Sequence, residues 1–195
     1  MVLDIWSYMA EAFDLPILDW IAANLKCGFL DFLMPLITLL GDAGIFWIAC
    51  SVALILFPKT RKTGLSMGIS LLIGLLVCNV TLKPLVARIR PYDYQWKHFQ
   101  VTIPLLVEGL HDFSFPSGHT IASFEAATAL LIGNKKLGIP AMILAVLIAF
   151  SRLYLYVHYP TDVLTSVVLG IGIAFLGTFL VKKGYSLGES RKMAA

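Results

Sequence analysis

Three stretches of this sequence concentrate residue types that bind anions and move protons. Lys83, Arg88 and Arg90 stand close together, and Arg152 lies near the end of a long apolar run. Charges at such positions are expensive in hydrocarbon and mark function by default; for each one alone, snorkelling to the interface is the alternative. Lys83 and Arg90 are seven apart, two helical turns, and share a face if the helix continues that far. Pro91 is expected to end that helix. Arg88 lies off the shared face and is expected at the surface or against a lipid headgroup. Cations not matched by nearby acids need an anion, and a phosphate group suits a guanidinium fork.

The second stretch is Phe115-Pro116-Ser117-Gly118-His119. A Pro-Ser-Gly turn that opens a helix presents unpaired N–H groups and the positive end of a dipole, which is a ready anion site. Gly118 allows close backbone approach, and Ser117 can cap the helix or donate to an oxygen. A plain N-cap is the simpler alternative, and His119 in the first turn argues against it. The third stretch is Ser151-Arg152 followed by His158-Tyr-Pro-Thr-Asp162. Asp162, four residues on, can reach back to one imidazole nitrogen and leave the other to act as nucleophile or base. Either feature also occurs structurally.

Together Lys83, Arg90, Ser117, Gly118, His119, Ser151, Arg152, His158 and Asp162 suit phosphoryl transfer through a phosphohistidine. His158 attacks phosphorus, His119 protonates the leaving oxygen and then activates water, and the cations and N–H groups stabilise the transferring charge. No carboxylate cluster fitting magnesium is seen, so neither metal nor cofactor is expected.

What must position these residues is a membrane bundle. The chain has 195 residues, 58% apolar and only 14% charged, with a mean hydropathy of +0.84. An ordinary soluble domain is roughly 25% charged. A soluble enzyme, a disordered chain and a nucleic-acid binder are thereby excluded, and a net charge of +3 is too mild for a polyanion surface. A span needs about 20 apolar residues. The expected fold is an all-α polytopic membrane protein, a bundle of six transmembrane helices. The spans are read at about 28–40, 45–57, 64–86, 119–133, 137–156 and 161–181, with a polar loop over 92–114. Lys59, Arg61, Lys62, Lys135, Lys136, Lys182, Lys183, Arg191 and Lys192 then fall on one side, the cytoplasmic one. Both termini are expected there, with the polar site facing outward.

Residues 1–15 read as an amphipathic interfacial helix, with Val2, Ile5, Trp6, Met9 and Phe13 on one face and Asp4, Ser7, Glu11 and Asp14 on the other. The acids make it atypical for a membrane surface; packing on the bundle, or on a second copy as a homodimer, is the alternative. They also replace the basic start of a signal peptide. Residues 16–185 are expected to form the six-helix domain and 186–195 a cytoplasmic tail. Cys27, Cys50 and Cys78 are scattered and read as packing residues. Glu125, six residues beyond His119, is an isolated acid in an apolar run; it could line a deeper cavity, pair with a cation or face a partner. His98 and His111 are expected to stand outside the chemistry.

On these residues the sequence resembles the type 2 phosphatidic acid phosphatase family. Its Lys-x6-Arg-Pro pattern stands at Lys83–Pro91, its Pro-Ser-Gly-His at Pro116–His119, and its Ser-Arg-x5-His-x3-Asp at Ser151–Asp162. The resemblance implies a metal-independent lipid phosphatase with His158 as nucleophile, His119 as acid and base, and Asp162 as orienter. Lys83, Arg90, Ser117, Gly118, Ser151 and Arg152 are implied as phosphate ligands. The implied partners are the bilayer and a lipid phosphate or diphosphate. The first substrate expected is undecaprenyl diphosphate, with phosphatidylglycerophosphate or phosphatidic acid as alternatives. A small transporter or scramblase is the competing class, disfavoured because the polar residues crowd one level rather than spreading through the membrane.

Overall fold

The computed structural model describes the backbone of residues 2–193 and the side chains of residues 5–190. Every regular element among them is helical. Helix α1 (Val2–Met9) passes through a π-helical turn (Ala10–Asp14) into α2 (Leu15–Asn24), which Pro16 opens from its first turn. The run continues across residue 15, so the interfacial helix does not end where the sequence suggests. Helices α3 (Gly28–Leu39) and α4 (Ile45–Leu56) flank a short 3-10 turn at Asp42–Gly44, where Ala43 and Gly44 take positive φ. Then come α5 (Arg61–Gly74), a π-helical stretch (Leu75–Leu82) and the short α6 (Lys83–Val86). Helix α7 (Pro91–Phe99) begins at Pro91 and lies where the sequence suggests only loop. Helices α8 (Gly118–Gly133), α9 (Lys135–Tyr154) and α10 (Pro160–Met193) complete the chain. Asn134 caps α9 by accepting from the Lys136 and Leu137 N–H groups at 3.1 and 3.3 Å. Since α10 runs to Met193, no separate tail begins at residue 186; residues 194–195 lie outside the described ones.

Helix α8 is the centre of the bundle. Ile121, Phe124, Ala126, Ala127, Ala129 and Leu130 are all buried against α5, α9 and α10. The small residues let the neighbouring backbones come close. Gly74 shows how close, since a methyl group there would lie 2.1 Å from the Glu125 carboxylate. Trp47 of α4 donates to the Ser123 hydroxyl at 3.0 Å and ties α4 to the same core. The outward faces carry Ile143, Val146, Leu164, Val168 and Phe175, large apolar side chains exposed as a lipid-facing surface would have them.

Among the described residues three helical runs are long and apolar enough to cross a membrane: 61–99, 135–154 and 160–190. A fourth is added when α3 and α4, bent by 41°, are taken as one broken span. The six separate spans expected are not found, for a reason of length. Twelve residues rise about 18 Å, well short of a hydrocarbon core of about 30 Å. The Gly41–Gly44 turn is therefore a bend, not the hairpin the sequence suggests, and this changes the parity of the chain. Helices α1 and α2 pack at the end of the bundle that holds Arg88, Tyr156 and Thr161. Lys62 lies over the Tyr185 ring at the far end, where Thr63 also meets Gly133. Helices α1–α2 and the Tyr185 region of α10 thus lie toward opposite ends of the bundle.

The N-terminal helix also sits the other way round from a surface helix. Asp14 is fully buried, Glu11 accepts from the Tyr94 hydroxyl at 2.6 Å, and Ile5, Tyr8 and Phe13 are exposed. Asp14 turns inward because a buried cation, Arg88, meets it there.

Candidate active site

The π-helical stretch carries Lys83 to the end of its span, and the chain then breaks. Ala87 takes φ of 49° and closes α6, after which residues 88–90 run without helix to Pro91. Lys83 and Arg90 therefore do not share one continuous helical face. Both form ion pairs with Asp112, a residue of the irregular segment after α7. Arg90 is buried, donates to the Val157 carbonyl at 2.7 Å, and places a guanidinium nitrogen 3.3 Å from His158 Nε2.

His158 lies in the tight connection between α9 and α10, which Tyr156 turns with a φ of 61°. Its ring is almost wholly buried. Burial first, then the charges of Arg90, Arg152 and Lys83, holds the imidazole well below the ordinary histidine range. Its Nδ1 faces Asp162 Oδ2 at 3.7 Å and the Ser114 hydroxyl at 3.5 Å, and that hydroxyl donates to the same Asp162 oxygen. The carboxylate thus meets the ring beside a serine that the sequence does not single out. Its other oxygen receives Arg88 Nη1 at 2.6 Å, while Arg88 Nη2 binds Asp14 at 2.7 Å. Arg88 is not the surface residue expected. It is buried beneath the site, with its guanidinium 3.7 Å from the centre of the Tyr159 ring and 4.7 Å from that of Trp6.

Across the site, His119 Nε2 lies 2.7 Å from Asp42 Oδ1 in the bend between α3 and α4. A methyl group on Gly41 would sit 2.6 Å from the His119 ring, so the bend packs directly on the imidazole. Arg152 donates to the Thr38 hydroxyl. Its Nε and Nη2 are buried and meet no hydrogen-bond partner among the described residues. Gly118 packs against the Asn79 side chain.

One cavity of about 610 Å3 joins these groups. Lys83, Arg90, Gly118, His119, Arg152, His158, Asn79 and Asp112 line its polar end. Its other arm runs along α4 and α5, past Ile48, Val52, Ile55, Leu71, Leu72 and Leu75. Glu125 sits on its wall, with Oε2 lacking a partner among the described residues. Ser117, Ser151 and Asp162 do not line the cavity. Ser117 Oγ accepts from Thr120 and its N–H donates to Ser166, at 2.9 Å each, while the Ser151 hydroxyl is spent on the Ile148 carbonyl at 2.6 Å. The two serines hold the helix ends that frame the site. His98 stacks on Tyr94, 4.1 Å between ring centres.

The PAP2 superfamily pattern matches residues 63–185, which hold Lys83, Arg88, Arg90, Asp112, His119, Arg152, His158 and Asp162, while Asp14, Thr38, Asp42 and the α4 side of the cavity precede them. The chain belongs to the PAP2 superfamily. An undecaprenyl-diphosphatase of Sulfolobus acidocaldarius is 36% identical over 71% of this chain and 65% of its own length. One of Bacillus subtilis is 33% identical over 75% of this chain and 72% of its own. The crystal structure of a transmembrane PAP2-type phosphatidylglycerolphosphate phosphatase from Bacillus subtilis superposes with a TM-score of 0.69 at 26% identity. That match covers 93% of this chain and 94% of the other. The shared fold therefore extends well beyond residues 63–185.

Proposed function

We propose that the protein is a membrane lipid phosphatase that removes the terminal phosphate from undecaprenyl diphosphate. The observation that carries this is one cavity with two characters. Lys83, Arg90, Arg152 and two histidines gather at one end, and an apolar arm leads away from them. The unpartnered Arg152 nitrogens supply donors that a phosphoryl group would take up. The two relatives named undecaprenyl-diphosphatase support the substrate.

In this reading His158 Nε2 attacks the terminal phosphorus, with Arg90 beside it to hold the phosphoryl oxygens. The bond to the bridging oxygen breaks, and His119 gives that oxygen a proton as lipid monophosphate leaves. His119 then takes a proton from water, whose oxygen attacks the phosphohistidine and releases orthophosphate. Lys83, Arg90 and Arg152 offset the negative charge of the phosphoryl group, the part a metal ion plays in other phosphatases. Phosphate release is accordingly expected to proceed at an undiminished rate in excess chelator. A loss of most of the activity, restored by a divalent ion, would overturn the metal-free mechanism.

The basic residues at the end remote from the site favour that end as cytoplasmic and the site as outward-facing. Helices α3, α4, α5, α8, α9 and α10 form the embedded unit in this reading, with α1 and α2 on the outer surface. Lipid reaches the site sideways, because Ile48, Val52, Leu72 and Leu75 line the apolar arm and are about half exposed on the bundle's flank. Val52→Trp and Leu72→Trp are each expected to lower kcat/KM for a long-chain lipid at least tenfold and to leave hydrolysis of a short, water-soluble phosphate ester within about twofold. Equal effects on both substrates would show that the arm does not carry the tail.

Phosphatidylglycerophosphate is the second reading, favoured by the near full-length structural match. Phosphate release from undecaprenyl diphosphate, phosphatidylglycerophosphate and phosphatidic acid, compared side by side with purified protein, decides between them. Highest kcat/KM on the diphosphate is expected; a higher value on phosphatidylglycerophosphate would reverse the assignment.

A further inference from the structure

Asp112 stands in a place that the proposed chemistry does not require. Its carboxylate bonds both Lys83 and Arg90, the second of which stands 3.3 Å from His158 Nε2. Although burial pushes this carboxyl up, the hydrogen bonds and charges of Lys83 and Arg90 bring it down to about 2. It is therefore an anion throughout the neutral range. It is also half exposed, at 53% of its side chain, whereas the Arg90 side chain is 2% exposed.

The backbone around it is fixed independently of the carboxylate. Arg90 Nε donates to the Asp112 carbonyl at 2.9 Å, the Ser114 N–H donates to the Arg88 carbonyl at 2.7 Å, and the Tyr92 hydroxyl bonds both the carbonyl and the N–H of Leu110. A rotation about the side-chain bonds alone withdraws the carboxylate and opens Lys83 and Arg90 to another anion. No loop has to unfold.

We propose that Asp112 is an internal exchange ligand, a carboxylate that trades places with the phosphoryl group on Lys83 and Arg90 and so eases the departure of orthophosphate. The inference rests on the proposal that this cavity binds phosphate. A carboxylate returning to the two cations replaces the bonds that orthophosphate gives up, which keeps the product from being held by three uncompensated cations. The same exchange weakens every anion that uses the cradle. If the carboxylate holds the cations more than about nine-tenths of the time, apparent affinity for phosphate drops at least tenfold.

The test compares Asp112→Asn and Asp112→Ser with the unaltered protein in detergent. Orthophosphate binding is measured directly by calorimetry, and orthophosphate inhibition of lipid hydrolysis in parallel. Both variants are expected to bind orthophosphate at least tenfold more tightly, with KM for lipid falling in the same direction. Orthophosphate affinity within twofold of the unaltered protein, or weaker, in both variants would overturn the proposal. The calorimetric arm needs no lipid turnover. Tighter orthophosphate binding by the variants with no hydrolysis of any lipid by the unaltered protein would leave the exchange standing and remove the substrate assignment instead.

Discussion

Replacing His158 by alanine is expected to lower phosphate release by at least about 10,000-fold, the scale on which loss of a catalytic nucleophile is felt. The geometry makes the residue hard to replace. The ring is enclosed, its Nε2 faces Arg90 and its Nδ1 faces Ser114 and Asp162. Burial and the neighbouring cations keep it unprotonated at neutral pH, the form that can attack. Because its protonation lies below the ordinary range, activity is retained as pH falls and is lost only when pH passes through that lowered value. Rapid acid or base quenching with phosphorus-labelled substrate checks the chemical claim. The unaltered protein is expected to yield a label on protein that acid releases, and His158→Ala none. A labelled phosphoprotein in His158→Ala would place the nucleophile elsewhere. His119→Ala gives the complementary result with a nitrophenyl phosphate ester, whose leaving group needs no proton. The first step should persist and the second slow, so that label accumulates. A transporter or scramblase whose internal charges line a path would keep its transport in His158→Ala.

The residues that make this experiment obvious are legible in the sequence because their types are rare in apolar runs and their chemistry is specific. Lys83, Arg90, His119, Arg152 and His158 all reach one cavity. What spacing could not convey is how the chain bends between them. A continuous helix through residue 90 puts Arg88 off the face of Lys83 and at the surface. The positive φ at Ala87 abolishes that helix and sends Arg88 inward. The acids that answer the site's cations and His119, Asp14, Asp42 and Asp112, stand 74, 77 and 22 residues away from Arg88, His119 and Arg90. No local pattern can assign such pairs. Acids on the N-terminal helix were the one available signal, since a face with Glu11 and Asp14 suits a buried cation better than an anionic bilayer. The six-span count is not confirmed, for a related reason. The apolar runs at α3 and α4 are real, but hydropathy counts residues and carries no information on whether a Gly41–Gly44 turn reverses the chain or bends it by 41°.

Arg88→Met is expected to destabilise the protein by about 3–5 kcal/mol, the range for removing one partner of a buried ion pair. The Arg88 side chain is 3% exposed, and those of Asp14 and Asp162 are not exposed at all. Methionine fills most of the volume but leaves two carboxylates in a space from which water is excluded. The consequence for chemistry is separate from that for folding. Arg88 occupies one Asp162 oxygen and so leaves the other to Ser114, the Tyr159 N–H and the His158 ring. Without the guanidinium, Asp162 becomes the more basic partner, takes up a proton and turns away from its role as acceptor. A lower melting temperature in detergent together with a fall in kcat is therefore expected. Arg88→Lys separates the two effects. One ammonium cannot span two carboxylates as the guanidinium fork does, so stability is expected to return in part while kcat stays low. Asp14→Asn bears on the same arrangement from its far side. Arg88 then keeps Asp162, and kcat should change far less than in Arg88→Met even though the N-terminal helix has lost its anchor. Full activity in Arg88→Met would break the link between Arg88 and the histidine, and an unchanged melting temperature would show that the two carboxylates are not buried as charges. The N-terminal helix thus reaches the reaction centre through one guanidinium, from Asp14 to Asp162.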